Sequence, residues 1–316
     1  MGMLIDGTWH EKGWETDEEG HFQRSETDFR DWITTDGSSD FAPDSGRYHL
    51  YVSYACPWAH RTLITRALKG LEDDVSVSVV HPFMGDDGWS FEDGDGTVPD
   101  PIHGADLLRE VYTAADSNYT GRVTVPVLWD RQKETIVNNE SLEIMRMFDV
   151  AFDDLASRDI DLYPEDRREE IDEVIESIYQ PINNGVYRAG FSTTQQAYDE
   201  AIDELFEALD HWDRVLGERR FLCGDRPTEA DICMFTTLFR FDAVYHTHFM
   251  CNVRQISDYE NLWPYARSIY QLPDVAETCR LDHIKHHYFR SHPSVNPHRI
   301  EARGPSLDWS LPQDRT

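Results

Sequence analysis

Tyr48-His49-Leu50-Tyr51-Val52-Ser53-Tyr54-Ala55-Cys56-Pro57-Trp58-Ala59-His60-Arg61 is the stretch that decides the fold. Its first six residues are dominated by aromatic and branched side chains and read as a strand. Pro57 suits the first turn of a helix, where its missing N–H has no partner to serve. The helical pattern runs to about Leu68, and Gly70 is a natural C-terminal cap. Val75 to Val80 then reads as a second strand. Strand, helix, strand is the core of a parallel βαβ unit.

Working outward, residues 81–121 form a long insertion rich in Gly and Asp, with a weak helical signal from Ala105 to Tyr112. A segment of that length inside a compact domain is usually functional. Thr124-Val125-Pro126-Val127-Leu128-Trp129 reads as a third strand. Asp130 to Lys133 make a turn, Glu134 to Val137 pair back, and Asn138-Asn139-Glu140-Ser141 opens a helix through Phe148. The order βαβ then ββα is that of a thioredoxin-type half-domain. Residues 1–45 are polar and read as an irregular arm, with Trp9, Trp14, Phe22, Phe29 and Trp32 as docking points.

From about Asp166 the pattern is helical. Glu169 to Tyr179, Gln195 to Leu216, Thr228 to Val244, Leu262 to Tyr270 and Val275 to His283 are the expected helices, and Thr228-Glu229-Ala230-Asp231 has the form of a capping box. The boundary falls in Asp-rich 149–165. The expected architecture is an α/β thioredoxin-like domain over 46–150, then an all-α domain over 165–316 with a C-terminal extension.

The formal net charge of −31, from 60 acidic and 29 basic residues, would repel nucleic-acid phosphate and anionic lipid, so neither is an expected partner. The acidic residues are scattered, and lysine is confined to Lys12, Lys69, Lys133 and Lys285. That pattern suits concentrated salt, which screens self-repulsion, and a halophilic protein is the expectation. Cys56, Cys223, Cys233, Cys251 and Cys279 make an odd set. Residues 1–16 lack the apolar run of a signal peptide, and no apolar run approaches the roughly 20 residues of a membrane span. A reducing cytoplasm is expected.

Cys56 stands where a strand ends and a helix begins. A thiolate there meets unpaired N–H groups and the positive end of the helix dipole, which favour ionisation. Dithiol oxidoreductases carry a resolving cysteine three positions on, but here that position is Ala59. A cycle through a mixed disulfide therefore needs an external second thiol. The Val125–Pro126 bond is either cis and beside the cysteine, as in thioredoxin-like proteins, or trans at an ordinary strand start. Glu140 and Ser141 open a helix that either is simply capped or holds both charges of a γ-glutamyl end, Glu140 taking the ammonium and the helix start the carboxylate.

Over roughly Asp28 to Pro297 the chain resembles the glutathionyl-hydroquinone reductases, the Xi class of the glutathione transferase superfamily. The motifs carrying the likeness are Tyr48–Ser53 with Ala55–Thr62, Thr124–Asp130, Thr135–Ser141, Asn183–Phe191 and His286–His292. The resemblance implies that the Cys56 thiolate attacks the sulfur of a glutathionyl-hydroquinone, releasing the hydroquinone, and that a second thiol peptide clears the mixed disulfide. It assigns Trp89, Arg122, Val125, Pro126, Glu140 and Ser141 to the thiol peptide. Trp89 is alternatively an anchor of the insertion, and Arg122 a surface charge. Tyr187, Tyr245 and Tyr288 are candidates for the hydroquinone, each offering a flat apolar face and an O–H, or are half-buried structural tyrosines. The co-substrate is glutathione or γ-glutamylcysteine, no cofactor is tightly bound, and a homodimer is implied.

His283, His286, His287 and His292 lack a companion set of cysteines or carboxylates at zinc-like spacing and are expected to have polar or structural roles. The four later cysteines read as small apolar residues, and no phosphate-binding glycine loop occurs. Two other functions fit the same architecture: a conjugating transferase and a non-catalytic interaction protein. Replacing Cys56 separates all three.

Overall fold

The computed structural model describes residues 2–13 and 15–313. Met1, Trp14 and residues 314–316 lie outside them. The chain divides into two compact units: Met1–Gly13 with Ser25–Ile160, and Trp14–Arg24 with Asp161–Thr316.

The first unit opens with β1 (Gly2–Ile5) and β2 (Thr8–Glu11), an antiparallel pair where the sequence suggested only an irregular arm. Two short antiparallel strands of the second unit, β3 (Glu15–Thr16) and β4 (Phe22–Gln23), follow. The main sheet of the first unit then begins with β5 (Tyr48–Val52), continues through α1 (Pro57–Lys69), and returns in β6 (Val75–Val79), parallel to β5. The insertion carries α2 (Leu108–Ala115). β7 (Gly121–Arg122) pairs back on β1, with Met3 opposite Arg122. β8 (Val127–Asp130) and β9 (Thr135–Asn138) complete a four-stranded sheet in the order β6-β5-β8-β9, and α3 (Ser141–Arg146) follows. The expected strand from Thr124 starts three residues late, because Pro126 has no N–H to give the ladder.

All five residues of β5 are buried, as befits a central strand covered on both faces. At the far end of α1, Gly70 takes φ +66°; an added Cβ would sit 2.0 Å from Ser157 Oγ. Only glycine meets both constraints there. In the insertion, the Asp100 carboxylate accepts from Ile102 N (2.9 Å), His103 N (3.0 Å), Ala105 N (3.1 Å) and Tyr51 Oη (2.8 Å). Burial works to raise this carboxyl, but those donors hold it below the ordinary range. The insertion is thus an ordered loop built around one anion.

The second unit continues with α4 (Arg168–Ile178), α5 (Gly185–Gly190), α6 (Gln195–Leu216), α7 (Glu229–Arg240), a single turn α8 (His246–His248), α9 (Leu262–Tyr270) and α10 (Leu281–Ser291). Every residue of α7 is buried, so it is the central helix of the unit. Its start is the capping box read from sequence: Asp231 Oδ2 accepts Thr228 N at 2.7 Å, while Oδ1 accepts Leu222 N and Tyr265 Oη. The helix expected over Val275 to His283 is instead a 3₁₀ turn, Ala276–Thr278, with α10 beginning at Leu281. Cys279, at φ −95° and ψ 96°, leaves helical space between them.

Lys69, Lys133 and Lys285 place their ammonium on internal partners. Lys69 bonds Asp153 (2.8 Å) and Lys133 bonds Asp40 (3.2 Å), while Lys285 meets the carbonyls of Ala302, Arg303 and Gly304. The remaining surface is dominated by acid, with a net charge of −31. Raising salt from about 0.1 to about 1 M shortens the screening length from about 10 to about 3 Å. The thermal midpoint is expected to climb by roughly 10 °C or more over that range. A midpoint that does not move with potassium chloride in a melting series rules out the halophilic reading.

Candidate functional site

Cys56 is the residue that precedes α1, in extended backbone (φ −77°, ψ 123°) with Pro57 directly after it. Its carbonyl already accepts His60 N (2.9 Å), so the helix begins at the cysteine itself. The thiol is partly exposed, and Sγ lies 3.5 Å from the Val125 carbonyl oxygen, to which it donates. The Val125–Pro126 bond is cis. His60 and Arg61, in the first turn of α1, are buried, and the Arg61 guanidinium lies over the Trp58 ring.

Glu140 and Ser141 start α3. The Glu140 carboxylate accepts from its own helix, from Leu142 N and Ser141 Oγ at 3.3 Å each. The donors expected to greet a ligand carboxylate thus face the chain's own acid. Arg122 directs NH1 and NH2 onto the carbonyls of Lys12 (3.0 Å) and Gly13 (2.6 Å), so its guanidinium grips the end of the β1–β2 hairpin. Trp89 is buried in the core of the first unit, and its carbonyl accepts Leu108 N (2.9 Å) at the start of α2. The structure therefore joins Cys56 to Val125 and Glu140 to Ser141, and ties Trp89 and Arg122 to the insertion and the arm.

In the second unit, Tyr187 on α5, Tyr245 at the end of a π-helical turn (Phe241–Tyr245) and Tyr288 on α10 converge. Tyr187 Oη bonds Tyr288 Oη closely; Tyr245 Oη lies 3.0 Å from Tyr288 Oη and 3.4 Å from Tyr187 Oη. All three are buried, with exposures of 6%, 0% and 1%, so the expectation of half-buried tyrosines gives way to a closed hydroxyl triangle. Burial pushes the Tyr288 hydroxyl well above its ordinary range, and its tyrosine neighbours add to this against the pull of Arg240. Tyr288 therefore keeps its proton at physiological pH. Sequence reading missed Arg24, whose guanidinium lies 5.0 Å over the Tyr187 ring, and His248, whose Nε2 is 3.1 Å from His292 Nδ1. Burial takes His248 down to about 4. Neither carries a sequence motif.

Burial pushes the thiols of Cys223 and Cys279 up to about 12, and that of Cys251 up as well. Among the described residues, one trio with metal-ligand reach occurs: exposed Asp17, Glu19 and His21. His21 there also bonds Glu200 (3.0 Å). No helix among the described residues is long and apolar enough to cross a membrane.

Two family models match the chain: glutathione S-transferase, N-terminal domain, over 55–151, and glutathione S-transferase, C-terminal domain, over 195–268. The glutathionyl-hydroquinone reductase YqjG of Escherichia coli (strain K12) is 51% identical over 323 residues, 100% of this chain and 98% of the relative. The chain belongs to the glutathionyl-hydroquinone reductases, the Xi class of glutathione transferases. A second reductase of the family, PcpF of Sphingobium chlorophenolicum, is 52% identical, covering 97% of each chain. Among solved Xi-class structures, the transferase of Natrialba magadii superposes with a TM-score of 0.94 at 58% identity, covering 100% of this chain and 96% of that one. The glutathione-bound structure of YqjG superposes at 0.92 with 50% identity, covering 99% of each. The α/β unit followed by helices is the glutathione transferase architecture of this family.

Proposed function

We propose that this reductase removes glutathione from glutathionyl-hydroquinones through Cys56. The Cys56 thiolate attacks the conjugate's sulfur. The Cys56–glutathione S–S bond forms as the aryl C–S bond breaks, and the ring carbon takes a proton, releasing free hydroquinone. A second glutathione, as thiolate, attacks the mixed disulfide. Glutathione disulfide leaves and the Cys56 thiolate returns, so one free thiol is consumed, and its sulfur and the conjugate's are joined as a disulfide, for each carbon–sulfur bond reduced. The observation that carries this is a partly exposed sulfur at the head of α1, 3.5 Å from the Val125 carbonyl beside the cis Pro126 bond, with Ala59 where a resolving thiol would stand.

Val125 pairs with the cysteinyl part of the thiol peptide next to Pro126. Glu140 takes the γ-glutamyl ammonium, Ser141 and the start of α3 take its carboxylate, and Trp89 and Arg122 complete the pocket. Tyr187, Tyr245 and Tyr288 serve the hydroquinone; three hydroxyls suit a leaving group that needs a proton. Because Glu140 and Ser141 read only the γ-glutamyl end, γ-glutamylcysteine serves as well as glutathione. The same reading makes the protein a cytoplasmic homodimer.

Mass spectrometry after brief exposure to a glutathionyl-hydroquinone tests the central step. One glutathione is expected on the peptide containing Cys56, and added glutathione is expected to remove it. An adduct on another cysteine, or turnover without any adduct on Cys56 in rapid-quench samples, overturns the mechanism.

A further inference from the structure

The two ends of the proposed thiol-peptide site sit on separate segments, Thr124–Pro126 and Asn138–Ser141. One side chain touches both. Tyr112 on α2 is fully buried, and its hydroxyl donates to the Thr124 carbonyl at 2.9 Å. The same oxygen accepts Thr124 N at 3.3 Å and Asn139 Nδ2 at 3.1 Å. A phenol has one proton and two lone pairs, so these three bonds use its whole capacity. Thr124 precedes Val125, and Asn139 precedes Glu140. We infer that Tyr112 is a positioning residue for the thiol peptide, its hydroxyl setting the spacing between the Val125 anchor and the Glu140–Ser141 anchor. The inference rests on the site reading above and deepens it.

Backbone geometry explains why a bond to Thr124 matters at Val125. In extended chain, successive carbonyls point to opposite sides. Fixing the Thr124 carbonyl on Tyr112 turns the Val125 carbonyl the other way, toward Cys56 Sγ at 3.5 Å. Tyr119 stands in a similar place two residues earlier, its hydroxyl donating to Asp28 Oδ2 (2.8 Å) and lying 3.3 Å from the Arg122 carbonyl oxygen. The Tyr112 and Tyr119 rings are 5.1 Å apart. Phe29 packs on both.

The Asn139 side is equally determined. Its Oδ1 accepts Phe29 N (3.3 Å) and its N–H donates to Phe29 O (3.1 Å), so the amide cannot turn without breaking the arm's attachment. Its Nδ2 is thereby aimed at Tyr112. Through these bonds the insertion delivers one phenol to the point where both anchors can be held at once. Placement errors of about 1 Å at a bound substrate cost on the order of 10²-fold in rate, so one shared bridge is a sufficient lever.

The test is calorimetric titration of the full chain with glutathione, run beside the rate of Cys56 alkylation by iodoacetamide, a reagent too small to use either anchor. Tyr112→Phe keeps the ring and removes the bridge. Its glutathione Kd is expected to rise about tenfold or more, with the alkylation rate changed by less than about threefold. Asn139→Ala cuts the bridge from the other side, is expected to act in the same direction, and carries the test if Tyr112→Phe does not fold. Ser141→Ala reports on the underlying site. Should Ser141→Ala leave the Kd unchanged, the site reading falls and the bridge with it. Should Ser141→Ala weaken binding while Tyr112→Phe and Asn139→Ala bind glutathione as the parent does, the bridge alone is overturned. Equal losses in Kd and in alkylation mean general loosening and overturn it too, as does failure of both bridge variants to fold.

Discussion

Cys56→Ser is expected to lower turnover of a glutathionyl-hydroquinone by about 10³-fold or more, the scale on which loss of a catalytic nucleophile is felt. A serine oxygen cannot form the sulfur–sulfur bond on which the cycle turns, so no part of the route survives in altered form. The variant should fold normally. The Cys56 side chain makes no capping bond to α1 and is only half-buried, so its midpoint is expected within about 2 °C of the parent. Steady-state release of free hydroquinone, followed by chromatography, is the measurement. Retention of turnover within tenfold of the parent would sink the mechanism, and retained glutathione conjugation would instead favour a transferase that activates its thiol with another group. Cys279→Ser makes the contrast: its thiol is raised to about 12 by burial, and hydroquinone release should be unchanged.

The half of the fold around this sulfur was legible because its signals are local. β5 is marked by its composition, α1 by Pro57 at one end and Gly70 at the other, and α6 by a long amphipathic period whose limits, Gln195 and Leu216, were read directly. Much of what escaped depends on partners far away. β1 is paired along its four residues with β2 across the Asp6-Gly7 turn, a local hairpin signal that the reading of an irregular arm passed over, and Met3 and Leu4 also meet Arg122 and Gly121 across the ladder. Patterning within the first 45 residues cannot register that second pairing. Trp32 was read as a docking point but is 38% exposed, whereas Trp9 is anchored through Nε1 on the Asp86 carbonyl (2.9 Å). α10 escaped for another reason. Its buried residues are His283, Ile284, His287, Tyr288, Phe289 and Ser291, half of them polar in type. Histidines standing in for aliphatic residues hide the period on which such a helix is recognised. The same substitution of polar for apolar hid the surroundings of Tyr288, while the tyrosines themselves lay in family-like motifs. Tyr112 had no motif at all, since its partners lie 12 and 27 residues on and meet it only once the sheet is built.

Cys56 stands at one end of α1, and the other end is fixed by an ion pair whose loss should be the largest single cost to stability. Lys69, the last residue of α1, is 1% exposed. Its ammonium meets Asp149 Oδ1 at 3.3 Å, Asp153 Oδ1 at 2.8 Å and the Ile160 carbonyl at 2.8 Å. Asp149 is nearly as buried, at 3% of its side-chain surface, whereas Asp153 is 70% exposed. The two acids are therefore unequal. Removing the cation leaves Asp153 in water at little expense but takes from buried Asp149 the ammonium it faces. Lys69→Met, which keeps the stem and deletes the charge, is expected to destabilise the protein by about 3–5 kcal/mol, the scale on which breaking a buried ion pair is felt. For a domain of this size that is roughly 10 °C in the midpoint. Lys69→Met with Asp149→Asn should recover a large part of the loss, because the buried negative charge that faced the ammonium is then gone, while Lys69→Met with Asp153→Asn should recover little. The pattern across the three variants in thermal melts decides the matter: a Lys69→Met midpoint within about 2 °C of the parent, or equal rescue by both asparagines, would mean that the pair does not anchor the helix. The salt series bears on the same point. Repulsion among exposed acids is screened and a buried pair is not, so the penalty of Lys69→Met should persist in concentrated salt, where the rest of the acidic surface has been quietened.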